Sequence, residues 1–136
     1  MKKPELAAAI VIASLGAMLF FSATIAPTVF KVLPEAHAGS FLRAVFPRYF
    51  LINGVAAVVA GLLAVELVAL TILLTSGATL LLIRYLAIPV VNEARDQMLT
   101  GVESAKVRFD IWHRGIVVLN MIEMLALALA AILLLA

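Results

Sequence analysis

The stretch that decides the fold is Tyr49 to Val91, YFLINGVAAVVAGLLAVELVALTILLTSGATLLLIRYLAIPVV. It carries only two charged residues, Glu66 and Arg84. A membrane-crossing helix needs about 20 mostly apolar residues. The stretch is too long for one crossing and sufficient for two joined by a tight turn. A turn at Thr75-Ser76-Gly77 would leave the second crossing short, so the turn is expected around Glu66. That gives spans over 49–65 and 69–91.

Two further apolar runs flank this centre. Leu6 to about Ala26 is interrupted only by Ser14, Gly16, Ser22 and Thr24. With Lys2 and Lys3 before it, the run has the outline of a signal peptide, but it exceeds the usual apolar core and Pro27 follows the only small-residue site. It is expected to stay as a first span over 6–27. The last run, 115–136, gives a fourth. Composition agrees with this count: of 136 residues 65% are hydrophobic and 13% charged, with mean hydropathy +1.19. A soluble domain carries about 25% charged residues, and a chain this short has no interior able to hide so much apolar surface from water.

The connections are polar. Between Lys31 and Arg48, Ala38, Phe41, Leu42, Val45 and Phe46 recur at helical spacing. Pro34 suits a first turn and Pro47 a helix end, so a short amphipathic helix at the interface is expected between spans 1 and 2. Asn92 to Arg114 is the most polar segment, and Thr100-Gly101-Val102-Glu103 has the spacing of a capping box. The fold class expected is therefore all-α: a single domain over 1–136, an integral membrane four-helix bundle with that interfacial helix. Lys31, Arg43, Arg48, Arg95, Lys106, Arg108 and Arg114 fall on one side and Lys2 and Lys3 on the other. Positive short loops stay in the cytoplasm, which places both longer loops there and both termini outside, in a bacterial cytoplasmic membrane by sequence style.

Polar side chains at lipid depth are the feature to explain. At 1.5 Å per residue, Arg84 lies about 10 Å and Glu123 about 13 Å from the polar ends of their helices, Asn120 about 9 Å and Asn53 about 6–7 Å. Asn53, Arg84, Asn120 and Glu123 thus form one candidate intramembrane cluster, in which an Arg84–Glu123 pair would let both charges stay in lipid. The plainer alternatives are a snorkelling Arg84 and a neutral or structurally paired Glu123. His113, Arg114 and Arg48 are the candidate cytoplasmic mouth, although Trp112 and Arg114 also read as ordinary interface anchors. His113 and His37 are weak candidate metal ligands, and Met18, Met121 and Met124 are better read as packing than as copper(I) ligands. Gly54, Ala57 and Gly61 form a small-residue stripe suited to close helix packing. Without cysteine, thiolate chemistry is excluded. No nucleophile elbow, phosphate loop or carboxylate pair appears, so an enzyme is the least favoured class.

Three segments carry a family resemblance: Ala26-Pro27-Thr28-Val29-Phe30 with Leu33-Pro34, Ala38-Gly39 and Phe46-Pro47-Arg48-Tyr49-Phe50; Arg84-Tyr85-Leu86-Ala87-Ile88-Pro89 with Asn92-Glu93-Ala94-Arg95; and Phe109-Asp110-Ile111-Trp112-His113-Arg114 leading to Leu119-Asn120. In that order they resemble the small four-helix membrane family of unknown function typified by transmembrane protein 205. The resemblance implies a four-span protein without an established reaction, with Pro27, Pro47, Arg48, Pro89, His113 and Asn120 at matching positions and Trp112 where the family commonly has Leu. More remotely the architecture is similar to copper-resistance protein D and the bacterial membrane protoporphyrinogen oxidase, some of which bind haem, but Leu6 to Ala26 holds no histidine. The expectation is a non-enzymatic bundle that handles a small solute or ion or binds a partner, with no cofactor predicted. The alternatives are a haem- or copper-binding redox protein and a structural subunit of a larger complex. The partners expected are the lipid bilayer and a second copy or another membrane subunit, with no nucleic acid.

Overall fold

The computed structural model describes Lys3 to Ala136; Lys2, one of the two N-terminal cations, lies outside the described residues. Four helices, each long and apolar enough to cross a membrane, make up the chain: α1 (Lys3–Val32), α2 (Glu35–Leu63), α3 (Leu67–Leu99) and α4 (Glu103–Leu135). They form a ring in which α1 packs on α2, α2 on α3, α3 on α4 and α4 back on α1. One end of the bundle holds the chain termini and the α2–α3 turn. The other, polar end holds the α1–α2 and α3–α4 turns.

Pro47 does not end a helix as the sequence suggested, and the helices also continue past Pro27 and Pro89. In α1 a single π-helical turn, Phe21–Ile25, precedes Pro27, and the Ala26 N–H reaches back five residues to the Phe21 carbonyl. In α3 the turn Ile83–Ala87 precedes Pro89 in the same way, with the Ile88 N–H on the Ile83 carbonyl. A proline has no N–H to give the preceding turn, and the wider turn lets the chain continue past it. Pro47 likewise sits inside α2, and the Arg48 guanidinium donates to the Ala44 carbonyl at 2.5 Å beside it. The amphipathic segment around 34–47 is helical as expected. It is the first part of α2 rather than a separate interfacial helix.

The turns are short. Glu66 caps α3, its carboxylate accepting from the Val68 N–H at 2.9 Å and the Ala69 N–H at 2.5 Å. At the α3–α4 turn Gly101 has φ +89°, a region that glycine enters without steric cost. Thr100 closes α3, donating to the Gln97 carbonyl. It does not cap α4, whose N-cap Val102 has no side-chain bond.

The structure contains an internal repeat. Ala7, Val11, Ser14 and Met18 of α1 and Ala69, Leu73, Ser76 and Leu80 of α3 are all buried at the same spacing. Each set is followed by a π turn and then by Pro27 or Pro89. The molecule is thus two helical hairpins of one design. Its outer face is apolar: Leu62, Leu82, Leu86 and Leu125 are all more than half exposed, as lipid-facing residues must be.

The α2–α3 seam is the tightest contact. A Cβ on Gly77 would lie 2.6 Å from Val58 Cγ2 and 3.1 Å from the Gly54 carbonyl oxygen, and one on Gly54 would lie 2.9 Å from Leu81 Cγ. The small-residue stripe therefore does what its spacing suggested and brings two backbones together.

Candidate functional site

At the polar end the ring opens. α4 packs along the first part of α1, but the last turns of α1, after the π turn, pack on α2 and not comparably on α4. The result is a cavity of about 740 Å³ between the polar halves of the helices. Ser22 and Asn120 stand at its inner end with Phe46 and Phe50, while Glu35, Arg43, Asn92, Arg95 and His113 stand toward the mouth. The wall between α1 and α4 is apolar and open to the outside: Phe30 and Met121 line it, yet are 59% and 57% exposed.

Polar side chains from three helices set the floor. The Tyr49 hydroxyl donates to Asn120 Oδ1 at 2.9 Å, and the Asn120 amide approaches Ser22 Oγ at 3.4 Å. Behind them Ser14 Oγ donates to Asn53 Oδ1 at 2.7 Å, and the Asn53 amide donates to the Tyr49 carbonyl at 2.8 Å. These bonds satisfy groups that would otherwise cost free energy in a dry interior. An aromatic cluster holds the tyrosine in place, with Phe21 and Phe50 ring centroids each 5.0 Å from that of Tyr49. The apolar spacing around Tyr49 and Phe21 is visible in the sequence; that their rings meet is a tertiary fact.

Of the four residues expected to cluster, Asn53 and Asn120 belong to this linked set. Arg84 and Glu123 do not, and they form no ion pair with each other. The Arg84 guanidinium lies 5.0 Å from the centroid of the neighbouring Tyr85 ring, a cation–π contact, on a face where Tyr85 is exposed. Glu123 is buried at 6% exposure, and its Oε2 has no hydrogen-bond partner, as is also true of Arg84 Nε.

Of the expected mouth residues, His113 lines the cavity and stacks on Phe109, ring centroids 5.4 Å apart. Arg48 and Arg114 are exposed and line no part of it. His37 is also exposed and away from the cavity. Among the described residues no three of His, Asp and Glu come together as a metal-binding group. Arg95 was not singled out by its sequence context. It lies half-buried against the backbone of Gly39, where a Cβ would collide with its guanidinium. Its neighbour Asp96 instead takes the bidentate bond from Arg43, at 2.5 and 2.8 Å. That contact ties α2 to α3 and holds the Asp96 carboxyl below the usual carboxylate range.

Residues 9–100 match the family described as Domain of unknown function (DUF4149). The chain belongs to that family. The match contains Ser14, Ser22, Asn53, Gly39 and Arg95, and it ends before α4 begins. The chain is also similar to an uncharacterized protein of Aquifex aeolicus (strain VF5), 48% identical over 48 residues, which are 35% of this chain and 36% of that protein. The chain thus spans about a third of that relative's length. No solved structure matches it.

Proposed function

We propose that this protein is a non-enzymatic membrane bundle that takes a small amphipathic ligand into the cavity at its polar end. The observation that carries the reading is the cavity of about 740 Å³ itself, mostly apolar in lining with a few placed polar groups, which is the make-up of small-molecule sites. Ser22 and Asn120 are the inner polar contact, the Tyr49 hydroxyl holds Asn120 in place, and His113 stands at the entrance. Arg84 and Glu123, at the same depth, stay outside that linked set, and Glu123 keeps a carboxyl oxygen without a hydrogen-bond partner. The cations at the polar turns favour a cytoplasmic mouth, with both termini outside. The likeness to the transmembrane protein 205 family, itself without an established reaction, is compatible with a binding role.

Native mass spectrometry of the full chain, extracted gently from its own membrane, tests this. The expected result is a retained non-protein mass in the wild type that is lost in Ala23→Trp, where an indole fills the cavity wall. A bare wild type, or equal retention by the filled variant, overturns it. A Soret band or stoichiometric copper would replace it with the redox reading, and a second polypeptide mass with the subunit reading.

A further inference from the structure

We infer that the ligand is a membrane phospholipid, its phosphate on Arg95 and one acyl chain in the cavity, leaving sideways between α1 and α4. This rests on the cavity being a ligand site, and it names the occupant.

Arg95 is the reason for a phosphate. Among the described residues Arg43 has the Asp96 carboxylate and Lys106 has Asp110. Arg95 has neither an ion pair nor a hydrogen bond, although it is half-buried and lines the cavity. A guanidinium presents several N–H donors in a fixed fork suited to phosphate. Asn92, one turn earlier on the same face of α3, and His113 across the opening supply further polar contacts. Gly39 is what permits this placement, since any side chain there would push the guanidinium away.

The shape is the reason for a lipid. A soluble anion needs only the charged mouth, yet the cavity continues inward past Phe30, Val117 and Met121 and is open along the outer face of the bundle. On the opposite side Arg43 and Asp96 tie α2 to α3, and a second hollow of about 430 Å³ lies there, smaller and more polar, lined by Glu35, Ser40, Arg43, Arg95 and Asp96. The opening with an apolar wall at lipid depth, the one that suits a long apolar group, is between α1 and α4. Glu35 lines the same mouth and forms no ion pair, so a headgroup carrying an ammonium beyond its phosphate fits best, as in phosphatidylethanolamine.

The test uses the full chain, stripped of lipid in mild detergent, given equal amounts of dioleoyl phosphatidylethanolamine and dioleoylglycerol, and read by native mass spectrometry. The two probes share their tails and differ in the phosphoethanolamine head. The wild type should prefer the phospholipid by about ten-fold or more, the worth of one charge-assisted hydrogen bond. Arg95→Gln should reduce that preference at least several-fold. Gly39→Ala keeps every charge and meets only the end of a flexible side chain, so it tests placement in a protein that still folds; it too should reduce the preference. Excess inorganic phosphate should not displace the lipid. Equal binding of the two probes by the wild type, an unchanged preference in both variants, or displacement by phosphate overturns the inference. A gently extracted protein carrying some other small molecule would overturn it while leaving the cavity's binding role intact. A chain that retains nothing at all would remove both.

Discussion

The two ends of this bundle are made from the same four helices and behave as opposites. Toward the chain termini, glycines and alanines bring backbones into contact, and the interior is filled by Leu73, Leu80, Leu127 and Met18, none of them measurably exposed. Toward the polar turns, the same ring separates around a cavity. The change falls at the π turns of α1 and α3, each placed just before a proline. A π turn adds a residue to one turn of helix and so rotates everything after it relative to the face before. Side chains that would have continued the core are turned elsewhere, and the helices diverge. The comparison teaches that the prolines make room, rather than ending the helices.

The largest test of that contrast strikes the closed end. Gly77→Leu places a side chain against Val58 and the Gly54 carbonyl, where backbone cannot yield, and should cost about 3 kcal/mol or more. Gly115→Leu is its counterpart near the open end, where an added Cβ meets nothing within 4 Å, and should be close to neutral. Thermal unfolding of both in one detergent gives the answer. Equal destabilisation would mean that the seam is no tighter than the perimeter.

Next in size is a gain. Glu123 is buried with an unbonded carboxyl oxygen. Such a group costs about 1–3 kcal/mol, so Glu123→Met, similar in volume, should raise the unfolding midpoint. A drop instead would mean that Glu123 supports the fold through a partner such as Arg84. A Tyr49→Phe change should then cost about 1 kcal/mol, the worth of one hydrogen bond, because it removes the hydroxyl that holds Asn120 at the cavity floor. Ligand retention should fall with it.

How much of this is legible without coordinates differs between the two ends. The four helices are, because an apolar run of sufficient length has few other fates in a chain this hydrophobic. The turn beside Glu66 is, because a lone carboxylate between two such runs marks where the chain meets water. The Gly54, Ala57 and Gly61 stripe also announces close packing. The open end is not legible. Pro47 reads as a helix end from local rules, and nothing local announces the π turns before Pro27 and Pro89 or the Arg48–Ala44 contact that accompany helices persisting past their prolines. The hairpin repeat is carried by which positions are buried, Ser14 with Ser76 and Met18 with Leu80, and scarcely by residue identity. Arg95 looks like one cation among several in a polar loop. Only the tertiary structure shows that Asp96 is taken by Arg43 while Arg95 is left facing the cavity.

The smallest expected effect concerns that distinction. The Arg43–Asp96 contact joins α2 to α3 at the polar end, but both side chains are about half exposed, and ion pairs in water contribute little. Asp96→Asn should therefore change the unfolding midpoint little at neutral pH. The sign with pH is fixed by the Asp96 carboxyl being held low in the folded state. Its contribution is present above the carboxylate's unfolded value, about pH 4, and is lost as the pH falls through the lower folded value. The wild type and Asp96→Asn should differ by a small constant from about pH 8 to pH 5 and converge in stronger acid, with the gap narrowing in high salt. A large gap would give this contact a share in closing the α2–α3 side of the cavity, and the open end would then be held in shape by charge as well as by the prolines.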